Sequence, residues 1–343
     1  MKRQEQQIKR SLAILVVAGA LALLLAACTA GSPAPVQRLS NYPGALEKPL
    51  PERISLGTEA LLDWQHQINL QYGQDTRPTM ARPDHPLVAK TRSMVAALPK
   101  RIRSLTARHL VAFFLLENDW GTGTTEAVQD AQGRWKYAYI ALNLTALTRT
   151  ANAWGAWKEQ SAFRPEAGHE IRMVLESPGN DTEESAIRFI FLHELGHVLG
   201  LALAAHGWWD AEGTPEETRN SPFLAVSWRL TEEGKMVSRW AERFPRFSEL
   251  SYYSFDKAKL PLSNAEGLFR DLSQTDFPSL YGATNLFDDF AEAFAIYVHT
   301  QMLGKPYRVE VYRNGQQRFV YRSCIATGAC PEKVKALKTL LGF

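Results

Sequence analysis

The sequence predicts an α+β fold, a mixed sheet packed on a buried helix. Three observations carry this. Segments with strand patterning gather at 110–142 and 169–176. Residues 186–201 then form a helix that is apolar almost all round, the mark of a buried helix. After an irregular stretch, a second helical segment, 286–302, leads into two strands flanking Asn314-Gly315, a dipeptide suited to a tight hairpin turn. Strands, buried helix, insert, helix and hairpin, in that order, make an α+β chain. The composition is that of a folded protein: 343 residues, 45% hydrophobic and 22% charged.

Residues 1–10 are polar and basic, and 11–27 are a short apolar run closing on small residues. That is the pattern of a signal peptide rather than of a fold element. The run ends Leu25-Ala26-Ala27-Cys28, which resembles the lipobox of bacterial lipoproteins. The resemblance implies cleavage before Cys28 and lipid on its thiol. With Thr29 rather than Asp following, it implies an anchor in the outer membrane facing the periplasm. Several acyl chains hold such an anchor where one would not. The Pro-rich segment 28–52 reads as a tether, and 53–343 as one unit with an N-terminal helical portion. Lys2, Arg3, Lys9 and Arg10 against Glu5 account for the whole formal charge of +3. The remainder is balanced, so no basic face for nucleic acid is expected.

Within the unit, 55–72 and 86–98 have helical patterning, the second stopping at Leu98-Pro99. Residues 110–116 are a continuous apolar run, as in a fully buried strand. Residues 126–129 and 135–142 form a strand pair across Asp130-Ala131-Gln132-Gly133. A helix with Trp154 and Trp157 is expected over 145–160, and a strand over 169–176. The buried helix opens near Asp181 or Thr182, with Glu183 and Glu184 in the first turn, where the helix dipole favours acids. Residues 207–280 are Trp-rich and show no assignable pattern. Cys324 and Cys330 are close in sequence, and in an exported chain such a pair is expected to form a disulfide.

The buried helix contains His193-Glu194-Leu195-Gly196-His197. Positions i and i+4 share one helix face, one turn apart, so the two imidazoles can meet one zinc ion. Glu194 swings to the side, where it can take the proton of a water whose pKa zinc lowers to about 7. Two His and a Glu inside an apolar helix need partners, and a metal supplies them. Residues 193–200 resemble the active-site helix of zincin metallopeptidases. Metzincins place a third His where this chain has Leu203, which excludes that subclass. His206 misses the spacing and is expected in a surface loop. The resemblance is therefore to the gluzincin type, whose third ligand is an acid on a later helix.

Residues 281–299 include Tyr281-Gly282 and Asp288-Asp289-Phe290-Ala291-Glu292-Ala293-Phe294. They resemble the matching segment of the anthrax lethal factor-type metallopeptidase domain. Carried over by position, the resemblance implies a zincin-like fold with Asp288 as third zinc ligand. It implies Glu292 as the support of the site and Tyr281 as the group assisting at the oxyanion. Where the family has Glu, this chain has Asp288. Helical geometry puts Asp288 and Glu292 together beside an apolar stripe and turns Asp289 away from the core. The shorter Asp asks the two helices to approach closely, which Ala291 and Ala295 would permit.

The expected protein is a lipid-anchored zinc metallopeptidase of the bacterial cell envelope, acting on a peptide or protein. A strand near 171–175 is expected to pair with extended substrate. Trp208 and Trp209 are expected in the core rather than in a cleft. The alternatives are an envelope lipoprotein scaffold or binding subunit, and a structural zinc fold without activity. Neither needs a base beside the ligands, so Glu194 speaks against both.

Overall fold

A computed structural model describes residues 34–211 and 213–343, and Pro35–Phe343 form one compact unit. The expected signal segment 1–27 and Cys28 lie outside the described residues, as does the start of the expected tether. The rest of that tether is packed chain. Val36 and Leu50 are buried, and Tyr42 donates its hydroxyl to the Val36 carbonyl. Buried Arg53 donates to the carbonyls of Leu46, Lys48 and Leu110. Prolines open the short 3-10 turns Pro35–Gln37 and Leu50–Arg53, while the apolar residues between them supply something to bury. The folded unit therefore begins well before residue 53.

The N-terminal helical portion comprises α1 (Glu59–Gln71), α2 (Pro86–Ala96) and α3 (Lys100–His109). α3 has few apolar positions, and only Ile102 and Leu105 among them are buried, so its sequence gives little helical signal. The main sheet is built from β1 (Leu110–Glu117), β2 (Gly123–Gln129) and β3 (Trp135–Asn143). β1 and β3 are parallel; β2 pairs antiparallel with β3 and ends the sheet. Two-residue strands, Ile54–Ser55 and Thr79–Met80, pair with β1. The β2–β3 turn is held by Asp130, whose Oδ1 accepts from the backbone N–H of Gln132 and Arg134. β1 is buried along 110–116, as its unbroken apolar run requires.

α4 (Ala151–Gln160) and β4 (His169–Val174) precede α5 (Glu183–Ala202). Thr182 caps α5 by accepting from the N–H of Ser185. α5 packs on β2 and β3, and the rings of Phe191 and Phe113 stack at 4.7 Å. By length and composition alone α5 could cross a membrane, but it is mostly buried inside the fold and serves as its core helix. Residues 207–280 are mainly turns and short pieces, with α6 (Ala265–Leu272) their longest helix. α7 (Leu286–Tyr297) packs on α5 and runs on into a π-helical turn, Val298–Met302.

β5 (Arg308–Arg313) and β6 (Gln316–Arg322) form the expected hairpin. Asn314 at φ 51° and Gly315 at φ 75° take the left-handed conformations that its two-residue turn demands. β5 also pairs with β4, giving a second, antiparallel sheet. Cys324 and Cys330 are joined in a disulfide, and α8 (Pro331–Leu341) closes the chain. The fold is α+β with a mixed main sheet, as expected.

Candidate metal centre

α5 presents His193 and His197 one turn apart, with their Nε2 atoms 3.2 Å from each other. Each Nε2 lies 3.4 Å from Oδ1 of Asp288 on α7. A tetrahedral ion with bonds of about 2.0–2.1 Å sets its ligand atoms about 3.3 Å apart. The triangle of two imidazole nitrogens and one carboxylate oxygen thus has the dimensions and the donor types that zinc takes. Among the described residues, it is the one such grouping of His, Cys, Asp and Glu.

Asp288 is aimed by its own helix cap. Asn285 accepts from the N–H groups of Phe287 and Asp288, satisfying the start of α7. Its Nδ2 donates to Oδ2 of Asp288 at 2.6 Å, leaving Oδ1 to face the two histidines. Burial would raise the Asp288 carboxyl, but His193 and His197 outweigh it and hold the group well below the usual carboxylate range.

Glu292, one turn along α7, is fully buried and lies behind His193. Its Oε1 is 2.9 Å from Nδ1 of His193 and 2.8 Å from Nζ of Lys158, and its Oε2 accepts from Ser279 Oγ at 2.7 Å. Burial pushes Glu292 up, yet Lys158 first and His193 next bring it down to about 2. An ionised Glu292 at Nδ1 leaves Nε2 of His193 as the nitrogen facing His197 and Asp288. Burial would likewise lower His193, but hydrogen bonding to Asp288 and Glu292 raises it to about 9.

Asp289 does not face away from the core. It is fully buried, 2.5 Å from Nζ of Lys333 on α8, and accepts from Nε1 of Trp228 at 2.9 Å. α7 is covered on every side, so its third face carries a buried ion pair instead of meeting water. His206 is likewise no surface residue. Its ring is buried against Phe287 and Phe290, and Nδ1 donates to the Gly207 carbonyl at 2.8 Å. Burial drives its pKa down to about 4. The apolar residues around it turn the end of α5 back onto α7, which no local pattern announces.

Glu194 lies on the sheet side of the triangle. Thr125 Oγ1 on β2 donates to its Oε2 at 2.7 Å. Gly123, also on β2, makes room for the carboxylate: a Cβ there would fall 3.0 Å from Glu194 Oε1 and 2.9 Å from Leu142 Cδ2. The strand beside the candidate base is therefore β2, the edge of the main sheet, bridged by Arg38 only at Gln129 among the described residues. The strand expected in that role, near 171–175, belongs to the other sheet. It pairs with β5 and packs on α4, with Gly155 against Met173. Among the described residues β4 is likewise the last strand of its sheet, paired only with β5, while β2 is the strand that reaches Glu194, because it returns antiparallel along β3 to α5.

The ring of Tyr281 lies 5.5 Å from that of His193, over Nζ of Lys158 at 4.4 Å. Tyr253, from the stretch without an assignable pattern, packs edge-on to Tyr281 at 6.3 Å. Burial first, and then the charges of Glu194, Asp288 and Glu292, keep both phenols protonated. Trp209 is half-buried, with its ring edge-on to His197 at 6.4 Å, so it borders the site. Trp208 stacks on Trp135 at 4.1 Å.

The structure thus brings His193, Glu194, His197, Tyr281, Asp288 and Glu292 together, while Cys324 and Cys330 pair elsewhere. Sequence reasoning missed Lys158, Ser279, Asn285, Gly123, Thr125 and Tyr253. Two of these had a local signal. Asn285 stands just before a helix, as a cap does, and Lys158 lies one turn from Trp154 on an otherwise apolar face. Compared with models of known families, with curated proteins and with solved structures, the chain matches none.

Proposed function

We propose that the protein is a zinc-dependent peptidase of gluzincin type. The observation that carries this reading is the triangle of His193, His197 and Asp288, with Glu194 held beside it by Thr125. Those three side chains would hold the ion. Bound there, zinc supplies the Lewis acidity that polarises a peptide carbonyl and makes water acidic. Glu194 takes the proton of the attacking water and passes it to the leaving amine. The Tyr281 hydroxyl donates to the oxygen on which charge develops. The edge of β2 offers backbone groups to an extended substrate, next to Glu194. Cys28 carries lipid, and the substrate is a peptide or protein of the envelope; these parts rest on the sequence.

Zinc analysis of the purified protein, followed by digestion of a peptide library, tests the reading. One zinc per chain and chelator-sensitive cleavage are expected. Zinc without cleavage would indicate a structural site, and neither would indicate a scaffold.

A further inference from the structure

We propose that Tyr253 is a second catalytic hydroxyl, donating with Tyr281 to the carbonyl oxygen of the bound peptide. This rests on the peptidase reading above. Its ring packs between Trp157, at 5.6 Å, and Tyr281, at 6.3 Å. Its hydroxyl lies in the field of Glu194, Asp288 and Glu292, the same three carboxylates that act on Tyr281, and Tyr281 also senses Tyr253. Tyr281 lies 5.5 Å from the His193 ring, and Tyr253 packs edge-on against Tyr281, so the second phenol stands beside the first at the candidate site.

The backbone is forced to bring Tyr253 there. Its φ is 60°, and that of Phe255 is 45°, a left-handed region that disfavours any residue carrying a side chain. Ser161, fully buried at the end of α4, imposes this conformation. Its Oγ accepts from the N–H of Tyr253 at 2.8 Å, and its carbonyl accepts from Ser254 at 3.1 Å and Phe255 at 2.8 Å.

The neighbouring Tyr252 has the structural part, since its hydroxyl donates to the buried Glu159 at 2.8 Å. Among the described residues, the hydroxyls of Tyr253 and Tyr281 have no such protein partner, yet neither is a sealed, unsatisfied atom. Both hydroxyls therefore remain free to donate to a bound substrate. As water adds to the carbonyl carbon, the C=O electron pair moves onto oxygen, and two O–H donors then face the charge that forms.

The test compares wild type with Tyr253→Phe, Tyr281→Phe and Tyr253→Asn. The readouts are zinc content, kcat and KM on a cleaved peptide, and calorimetric affinity for a phosphinic analogue of that peptide, which mimics the tetrahedral state. Tyr253→Phe is expected to keep zinc, lower kcat roughly 100-fold and weaken the phosphinic peptide to match. KM should stay within about two-fold. Tyr253→Asn suits the left-handed backbone and is expected to fold at least as well as wild type, yet to share the loss. Unchanged kcat and phosphinic affinity in Tyr253→Phe would overturn the inference, as would a rise in KM alone. If Tyr281→Phe is impaired while Tyr253→Phe is not, the peptidase reading stands and this inference falls. If wild type holds no zinc and cleaves nothing, the peptidase reading fails first and takes this inference with it.

Discussion

Gly196 on α5 lies against the backbone of Ala291 on α7, so closely that a Cβ at 196 would fall 2.5 Å from Cα of Ala291. This contact sets the distance between the two helices that carry the candidate metal ligands. It allows an Asp, one methylene shorter than Glu, to reach both histidines. In an ordinary helix, Gly→Ala stabilises by about 1 kcal/mol. Here the obstacle is backbone rather than the end of a flexible side chain, and overpacking of that kind costs about 1–3 kcal/mol or more. Gly196→Ala is therefore expected to lower Tm and, by moving Asp288 away, to weaken zinc binding. Calorimetric unfolding and metal titration check both; a stabilised variant with normal zinc affinity would contradict the helix contact.

The three acids of α7 separate by partner. Asp288→Asn should fold and lose zinc. Glu292→Gln should cost roughly 10- to 100-fold in zinc affinity, because it orients His193 without being a ligand. Asp289→Asn strands Lys333 in the core, and breaking a buried pair from one side costs about 3–5 kcal/mol. Its loss should appear in Tm, while the protein that remains folded binds zinc normally. Metal titrations alongside unfolding curves give the order; a greater zinc loss at Glu292 than at Asp288 would exchange their roles.

Gly123→Ala separates the base from the ligands. The added methyl group meets Glu194 and Leu142 before any other side chain. Zinc content should stay at wild-type level while hydrolysis falls by at least about ten-fold, since the base is displaced from its geometry. Loss of zinc in this variant would show that β2 supports the metal rather than the carboxylate.

Two buried histidines outside the candidate ligand set predict a pH dependence of stability. Burial lowers His206 and His299 to about 4 from the ordinary 6.5. Below 6.5 the unfolded chain binds protons that the folded one refuses, so stability falls as pH drops from about 6.5 toward 4. Each histidine contributes up to about 1.4 kcal/mol per pH unit in that window. His299→Gln can keep the donation to the Leu175 carbonyl, and His206→Asn that to Gly207. Each should flatten the slope in urea unfolding at pH 7, 6 and 5; an unchanged slope would contradict the assignment.

The parts of this molecule that were legible in sequence are those set by local pattern. The run at 110–116, the Asp130 turn, the Thr182 helix start and the Asn314-Gly315 hairpin all take their expected forms. The candidate ligand pair on α5 was legible because i and i+4 share a face, and the closeness of Asp288 to it because the segment around it resembles a known one. What escaped is set by tertiary packing. Glu194 meets Thr125 only because β2 folds back along β3, and Glu292 meets Lys158 only because α4 packs beneath the site. Asp289 and His206 look like surface residues by local rules. Each is buried by an element distant in sequence, α8 in one case and α7 in the other.

In the proposed reading, Glu194 acts as a base beside a zinc ion held by His193, His197 and Asp288. Glu194→Gln keeps the size of the side chain and can keep the Thr125 contact, while it removes the proton acceptor. Zinc content and single-peptide hydrolysis, measured together on wild type and this variant, decide the matter. The account predicts one zinc per chain in both, and a loss of kcat by roughly 10²–10⁴-fold in the variant. A Glu194→Gln protein that cleaves as fast as wild type would contradict it.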